Sequence, residues 1–390
     1  MLIRLRTVVA AALLTVAAFA TAVDLAGGHP DTYVVRKGDT LWDIAGRFLQ
    51  KPWLWPEIWQ ANPQIANPHL IYPGDVLSLA YLNRAPAVTS TPGPRTEAPI
   101  NTIPLSAIEP FLRDLRVTDS FEHLPYVVGL EDSALRVSAG QLVYIRGLSA
   151  AAPGQRYMVV RPTSRFTEVD PATIRKVATT HDRIHYSDEL DFRGRHVDGV
   201  EHWTARPIWV RNKETLGYEL ARVNVGTVTR VGGAGGDADL VTLSLEESGR
   251  EVRAGDRVLP VETQPYDLHF TPHVPRQEQE YSKLQILAVA DGFLFGGTHD
   301  VVAVSGGARE GIDNGTVFSV WRTGERVVDR VRHGDYRDDN AQGDRRTRLP
   351  DEYASHIMIF RTFDKVSYGL VMDSTRRTRI GDEVKHPDAR

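Results

Sequence analysis

His181-Asp182-Arg183-Ile184-His185 sets two imidazoles four residues apart, and His196 and His202 follow. On a helix that spacing puts two zinc ligands on one face. The catalytic form of the pattern also needs a glutamate directly after the first histidine as general base. Here that residue is Asp182 in a polar, inserted stretch, so solvated loop histidines are expected. Glu246-Glu247-Ser248-Gly249 supplies carboxyls, one of which, if buried, could protonate a glycosidic oxygen. Leu243-Ser244-Leu245 and Glu251-Val252 alternate around Gly249 as the arms of a hairpin would, which predicts a turn instead. Gly232-Gly233-Ala234-Gly235-Gly236-Asp237 has the glycine content of a phosphate-cradling loop but not the lysine and hydroxyl that complete one, and reads as a flexible hairpin. Arg345-Arg346-Thr347-Arg348 and Arg376-Arg377-Thr378-Arg379 are the densest basic clusters. They could pair with carboxylates or phosphates, but Asp338, Asp339 and Asp344 sit beside the first, and solvated loop charge is expected.

Composition narrows the chemistry further. The chain has no cysteine, which excludes disulfides, thiolate metal sites, a lipid-anchored cysteine and every thiol nucleophile. Its 46 basic and 50 acidic residues leave a formal charge of −4, too balanced to hold a nucleic-acid backbone by electrostatics. At 390 residues, 42% hydrophobic and 25% charged, it is ordinary globular protein of two or three domains. No catalytic set, no metal site and no cofactor is expected, and nucleic acid is not a partner.

The elements around these residues begin with a segment that reads as an export signal over residues 1–22. Arg4 and Arg6 precede an almost unbroken small-apolar run, Thr7 to Ala20, and Ala18-Phe19-Ala20 or Ala20-Thr21-Ala22 supplies a small-x-small cleavage pattern. The run is shorter than the roughly 20 residues a membrane span needs. A soluble mature chain outside the cytoplasmic membrane, without a stable anchor, is the expectation.

Residues 31–80 read as strand, helix, helix, strand. Tyr33-Val34-Val35 alternates, Gly38-Asp39-Thr40 turns, and Leu41, Ile44, Ala45 and Phe48 follow at helical spacing, with Asp39 or Thr40 as the cap. Pro56 suits the first turn of a second helix that Asn62-Pro63 stops, and Val76-Leu77-Ser78-Leu79 is the closing strand. Backbone amides at a helix start, with an apolar residue such as Leu41 or Ile65, could satisfy the amide, hydroxyls and methyl of an N-acetyl sugar without any charge. Trp42, Trp53, Trp55 and Trp59 all fall in this stretch. A 50-residue fold without disulfides needs such side chains for its core, leaving Trp53 and Trp55 as the expected exposed pair.

Tyr33-x-Val35-x-x-Gly38-Asp39-Thr40-Leu41-Trp42-x-Ile44-Ala45, then Asn62-Pro63, then Ile71-Tyr72-Pro73-Gly74-Asp75-x-Leu77, resembles a lysin motif (LysM) domain along its full length. The resemblance implies a small α+β (βααβ) fold with a shallow groove for N-acetylglucosamine-containing glycans, chiefly peptidoglycan or chitin. Carried over position by position, one wall would be Gly38, Asp39, Thr40 and Leu41 and the other Ile65, Asn67 and Pro68. The sequence departs from the family pattern at Lys51-Pro52-Trp53-Leu54-Trp55-Pro56 and in the long Asn62 to Gly74 loop.

Residues 81–105, with Pro86, Pro92, Pro94, Pro99 and Pro104, read as an extended linker. Ser106-Ala107-Ile108-Glu109 has capping-box spacing for one short helix, after which strands dominate. Asp132–Gly147 aligns without gaps on Asp291–Gly306, and Gly154–Arg161 on Gly315–Arg322. Val223-x-x-Gly226-x-Val228 with Gly255-Asp256-x-Val258 matches Val366-x-x-Gly369-x-Val371 with Gly381-Asp382-x-Val384. This predicts a mainly-β region of tandem repeat units, small and barrel-like, over 106–262 and 276–387. The first would carry an insertion, Pro162 to Arg206, with a helix at Pro171 to Ala178, and the second a charged loop, Arg330 to Glu352. The whole plan resembles LysM-containing envelope proteins of Gram-negative bacteria, which implies a periplasmic, non-catalytic peptidoglycan binder whose β region offers a second surface. A wall-remodelling hydrolase with an unrecognised site in the β region, and an adaptor docking an envelope protein, are the alternatives.

Overall fold

The computed structural model describes residues 30–65, 67, 70–79, 100–101, 105–168, 214–232, 237, 239–246, 249–261, 271–276, 284–290, 295–329, 331 and 346–389. The export signal, most of the linker, the histidines from 181 to 202, the helix expected at 171–178, Gly233 to Gly236, Glu247, Ser248, Asp291 and Arg345 lie outside these residues. The chain divides into two compact units, Met1–Ile103 and Pro104–Arg390. Among the described residues no helix is long and apolar enough to cross a membrane.

In the first unit, strand β1 (Thr32–Val34) is followed by helix α1 (Leu41–Phe48), a 3-10 turn (Pro52–Leu54) and helix α2 (Trp55–Gln60). Strands β2 (Leu70–Ile71) and β3 (Val76–Ser78) come next, and β3 pairs antiparallel with β1. Pro56 occupies the first turn of α2, where its missing amide costs nothing. Asn62 ends that helix and is fully buried; its amide donates to the Ile58 and Ser78 carbonyls and its carbonyl accepts from Ser78 N. One side chain thereby ties the helix stop to the closing strand. The last residues of the proline-rich stretch return to this unit, as strand β4 (Ile100–Asn101) pairs with β2.

The tryptophans depart from expectation. Trp42, Trp53 and Trp55 are all buried, while Trp59 is half-buried. The 3-10 turn folds Trp53 inward and Trp55 begins α2. The aromatic pair expected at the surface therefore builds the core of a domain too small to form one otherwise.

The second unit opens with helix α3 (Leu105–Arg113), which already includes Ser106, so that residue is not its cap. Strands β5 (Leu115–Thr118), β6 (Tyr126–Leu130), β7 (Leu142–Arg146), β8 (Arg156–Thr167), β9 (Thr215–Val231), β10 (Leu240–Leu245) and β11 (Arg257–Pro260) form one curled sheet. Its ladder closes on itself: β6 pairs with β7, β7 with β10, β10 with β9, β9 with β8, β8 with β11 and β11 with β6. Val127, Val143, Ile145, Val159, Val223, Leu243 and Val258 fill the interior. The insertion expected from Pro162 begins as strand, since β8 runs on to Thr167 against the first half of β9. Nor do the arms around Gly249 pair with each other: β10 pairs with β7 and β9, and Val252 bridges Val137. Apolar alternation marks strands, but it does not say which strand is the partner.

Strands β12 (Ile286–Val289), β13 (Phe295–Gly296), β14 (Val301–Val304), β15 (Val317–Arg322), β16 (Arg326–Val328), β17 (Arg346–Arg348), β18 (Glu352–Thr362), β19 (Ser367–Ser374), β20 (Thr378–Arg379) and β21 (Glu383–Lys385) follow. Six of them repeat the ring order, β12-β14-β19-β18-β15-β21. The closing seams match bond for bond. Val127 N donates to Asp256 O and Gly255 N to Val127 O in the first ring; Ile286 N donates to Asp382 O and Gly381 N to Ile286 O in the second. The register break between Val159 and Val160 recurs between Val320 and Trp321.

A four-residue turn precedes three strands of each ring: Ser138–Gln141, Ala152–Gln155 and Arg253–Asp256, then Gly297–Asp300, Asp313–Thr316 and Arg379–Asp382. In each, the fourth residue's N–H donates to the first residue's carbonyl, and its side chain accepts the first residue's N–H. The third residue has positive φ, which suits glycine, and is glycine five times; His299, at φ 73°, is the exception. Val223–Val228 and Val366–Val371, aligned from sequence, fall on β9 and β19, which hold different places in the two rings. The offset that carries Gly255-Asp256 onto Gly381-Asp382 instead carries Leu245 of β10 onto Val371 of β19.

The rings meet at Glu219, which is 1% exposed and accepts bonds from Thr163 Oγ1 (2.7 Å) and Tyr368 OH (2.8 Å). Arg361 donates to the Phe111 and Leu112 carbonyls, and Phe111 meets Tyr368 edge to face.

Candidate glycan-binding site

The turn Arg36–Asp39 joins β1 to α1. Gly38 lies at its third position with φ 90° and is exposed, a backbone region that a side chain would strain. Asp39 is buried and fully engaged: Oδ2 accepts from Tyr33 OH and Arg36 N, both at 2.8 Å, and Oδ1 from Arg47 Nη2 at 2.9 Å. Burial, and then the bond to Asp39, raise the Tyr33 phenol above its ordinary range. Asp39 is therefore a keystone of the turn. Thr40 is the helix cap, in a reciprocal box. Its Oγ1 accepts from Asp43 N at 3.0 Å, and its own N–H donates to Asp43 Oδ2 at 3.2 Å. Leu41, at 0% exposure, points into the core.

Of the second wall, Ile65 is buried and its carbonyl accepts from Trp59 Nε1 at 2.7 Å, which moors the loop to α2. Asn67 is half-buried and Pro68 lies outside the described residues. The side chains of Asp39, Thr40, Leu41 and Ile65 are thus occupied with the fold itself. What the region offers a ligand is the exposed backbone at Gly38 and the half-exposed indole of Trp59. Trp59 is not among the wall residues expected from sequence; its one available signal was its position ahead of the Asn62-Pro63 stop.

Residues 33–80 match the LysM domain family. They form a LysM domain. A further similarity, 42% identity over 60 residues, is to an uncharacterized protein of Bacillus subtilis (strain 168), YqbP; it covers 13% of this chain and 27% of that protein. The LysM domain is a non-catalytic binding module, and such domains generally bind peptidoglycan or other N-acetylglucosamine glycans.

The other sequence candidates find structural roles where they are described. Glu246 pairs with Arg156 at 2.8 Å, and Gly249 packs so closely on β9 that a Cβ would stand 2.6 Å from Val223 O. Arg348, Arg376 and Arg379 pair with Asp351, Glu352 and Asp382, so these clusters are not simply solvated. Among the described residues no group of three or more His, Asp or Glu is arranged to hold a metal.

Proposed function

We propose that this protein is an exported, non-catalytic peptidoglycan binder of the Gram-negative periplasm, holding the glycan through its LysM domain while the β region presents a second surface. The match of residues 33–80 to the LysM family carries the reading. On it, the sugar lies between the Gly38 to Leu41 turn and the Ile65 to Pro68 loop, contacted chiefly by backbone, with Asn67 and Trp59 as the contributing side chains. The two rings are read as copies of one β unit, on the grounds of their common strand order, matching seam and recurrent turns.

One shallow groove supports micromolar to millimolar affinity, roughly −4 to −8 kcal/mol, so retention on a polymer gains from a second contact. The mature protein is expected to co-sediment with purified wall sacculi, and Asn67→Ala with Trp59→Phe to reduce the bound fraction while circular dichroism stays unchanged. Equal retention by a chain lacking residues 31–80 would overturn the assignment. Soluble muropeptides in the supernatant, lost on replacing a single acid of the β region, would establish a hydrolase instead.

A further inference from the structure

The two rings allow position-by-position comparison of their outer faces. In the first, Val160 of β8 stands opposite Arg257 of β11, and Met158 opposite Leu259. In the second, the matching pairs are Trp321 with Glu383 and Ser319 with Lys385. The interior residues between them, Val159 with Val258 and Val320 with Val384, are the same in type and buried in both. The first face is sealed: Phe121 packs on Met158, Val160 and Leu220, and Arg257 donates to the Phe121 carbonyl. Among the described residues no side chain covers the second face as Phe121 covers the first. A cleft of 410 Å³ lies there, lined by Trp321, Arg348, Leu349, Pro350, Asp351 and Lys385.

The lining combines an aromatic surface with a polar rim of ion-paired side chains. Trp321 Nε1 is already spent on Ser319 Oγ at 2.9 Å, so the indole asks nothing polar of a ligand. Its edge-to-face partner Tyr353 is held by Asp373 Oδ1 at 2.7 Å, which fixes the platform. Lys385 Nζ stands 5.5 Å from the Trp321 ring centroid and bonds Asp351 and Glu383, both at 3.2 Å. Asp351 also accepts from Gly324 N and Arg348. Burial raises the Asp351 carboxyl, but the Gly324 amide, Lys385 and Arg348 outweigh it and hold it below its ordinary range, leaving an ionised acceptor at neutral pH. Arg348 pairs with Asp351, and Lys385 with Asp351 and Glu383, so each cation of the lining is already neutralised by a carboxylate rather than held ready for a phosphate or a polyanion. The lining instead offers adjacent donors and acceptors beside an apolar surface, the demand of a neutral pyranose with hydroxyls on its rim and C–H groups on its faces.

We infer that the cleft over Trp321 is a second saccharide site, taking a neutral N-acetylhexosamine unit with its ring against Trp321 and Pro350 and its hydroxyls on Asp351, Lys385 and Arg348. The identity of the sugar rests on the glycan reading of the LysM domain; the site itself rests on the cleft. The test is titration of the full mature chain, labelled with ¹⁵N-tryptophan, with the N-acetylglucosamine hexamer. The indole signals of Trp321 and Trp59 are assigned by Trp321→Phe and Trp59→Phe. A saturable shift of the Trp321 signal is expected, lost in both Asp351→Asn and Lys385→Met while the Trp59 signal still responds. A Trp59 shift with an unmoved Trp321 overturns the cleft and leaves the LysM reading standing. A Trp321 shift alone supports the cleft and overturns the groove, and no shift in either overturns both. A Trp321 shift that persists in both rim variants overturns the assigned contacts.

Discussion

On the first ring, Met158, Val160 and Leu259 lie under Phe121; at the same register positions of the second ring, Trp321 and Lys385 line a cleft and Ser319 is buried beneath Trp321 Nε1. The Arg–Asp pair behind each seam differs in the same sense. Arg161 clamps Asp256 through two bonds of 2.8 and 2.9 Å, and the two side chains are only 8% and 4% exposed. Its counterpart Arg322 reaches Asp382 only at 3.5 Å, and Asp382 turns to Arg379 at 3.2 Å instead. The two rings share strand order, interior valines, seam and turns, while the outer face and the charges behind it differ. The ring with the tighter clamp is the one whose face Phe121 covers.

The sharpest way to break this contrast is to remove each arginine. Arg161→Met takes both guanidinium bonds from a buried carboxylate, leaving it the Arg253 N–H, and is expected to cost about 3–5 kcal/mol, read as a lower urea midpoint at unchanged slope. Arg322→Met leaves Asp382 its bonds from Arg379 and is expected to cost about 1 kcal/mol. Equal losses would erase the distinction between the rings.

Removing each cover comes next in size. Phe121→Ala opens a cavity over an apolar patch, so a loss of about 3 kcal/mol with new binding of a hydrophobic dye is expected. Trp321→Ala, at a half-exposed position, is expected to stay within about 1.5 kcal/mol and to bind no extra dye. If Trp321→Ala proved the more damaging, the open face would be a core in its own right.

The smallest effect concerns one turn. His299 holds φ 73° where Gly140 of the first ring holds 82°. His299→Gly is expected to raise stability by about 0.5–1 kcal/mol, and Gly140→His to lower it by about 1 kcal/mol, both measured by thermal unfolding. A destabilised His299→Gly would mean that the imidazole makes a contact worth more than the strain.

Much of the LysM domain was legible because its rules are local. The Thr40 cap, Pro56 in a first turn, the Asn62-Pro63 stop and the Gly-Asp turns each join residues within a few positions of one another, and a short span of chain carries the whole cause. Sequence also set apart the blocks around Arg161 and Arg322 and around Asp256 and Asp382. It did not show that Asn62 bonds Ser78 across the domain, that Trp53 and Trp55 turn inward while Trp59 stays half-exposed, or that Val252 bridges Val137. Nor did it show that Leu240–Leu245 rather than Val223–Val228 is the counterpart of Val366–Val371. Those outcomes depend on which distant strands close the ring, and apolar alternation is the same whichever neighbour a strand takes. The cleft lay furthest from reach: Trp321, Asp351 and Lys385 are dispersed in the chain, and only the pairing of β15 with β18 and β21 brings an indole, a carboxylate and an ammonium to one face.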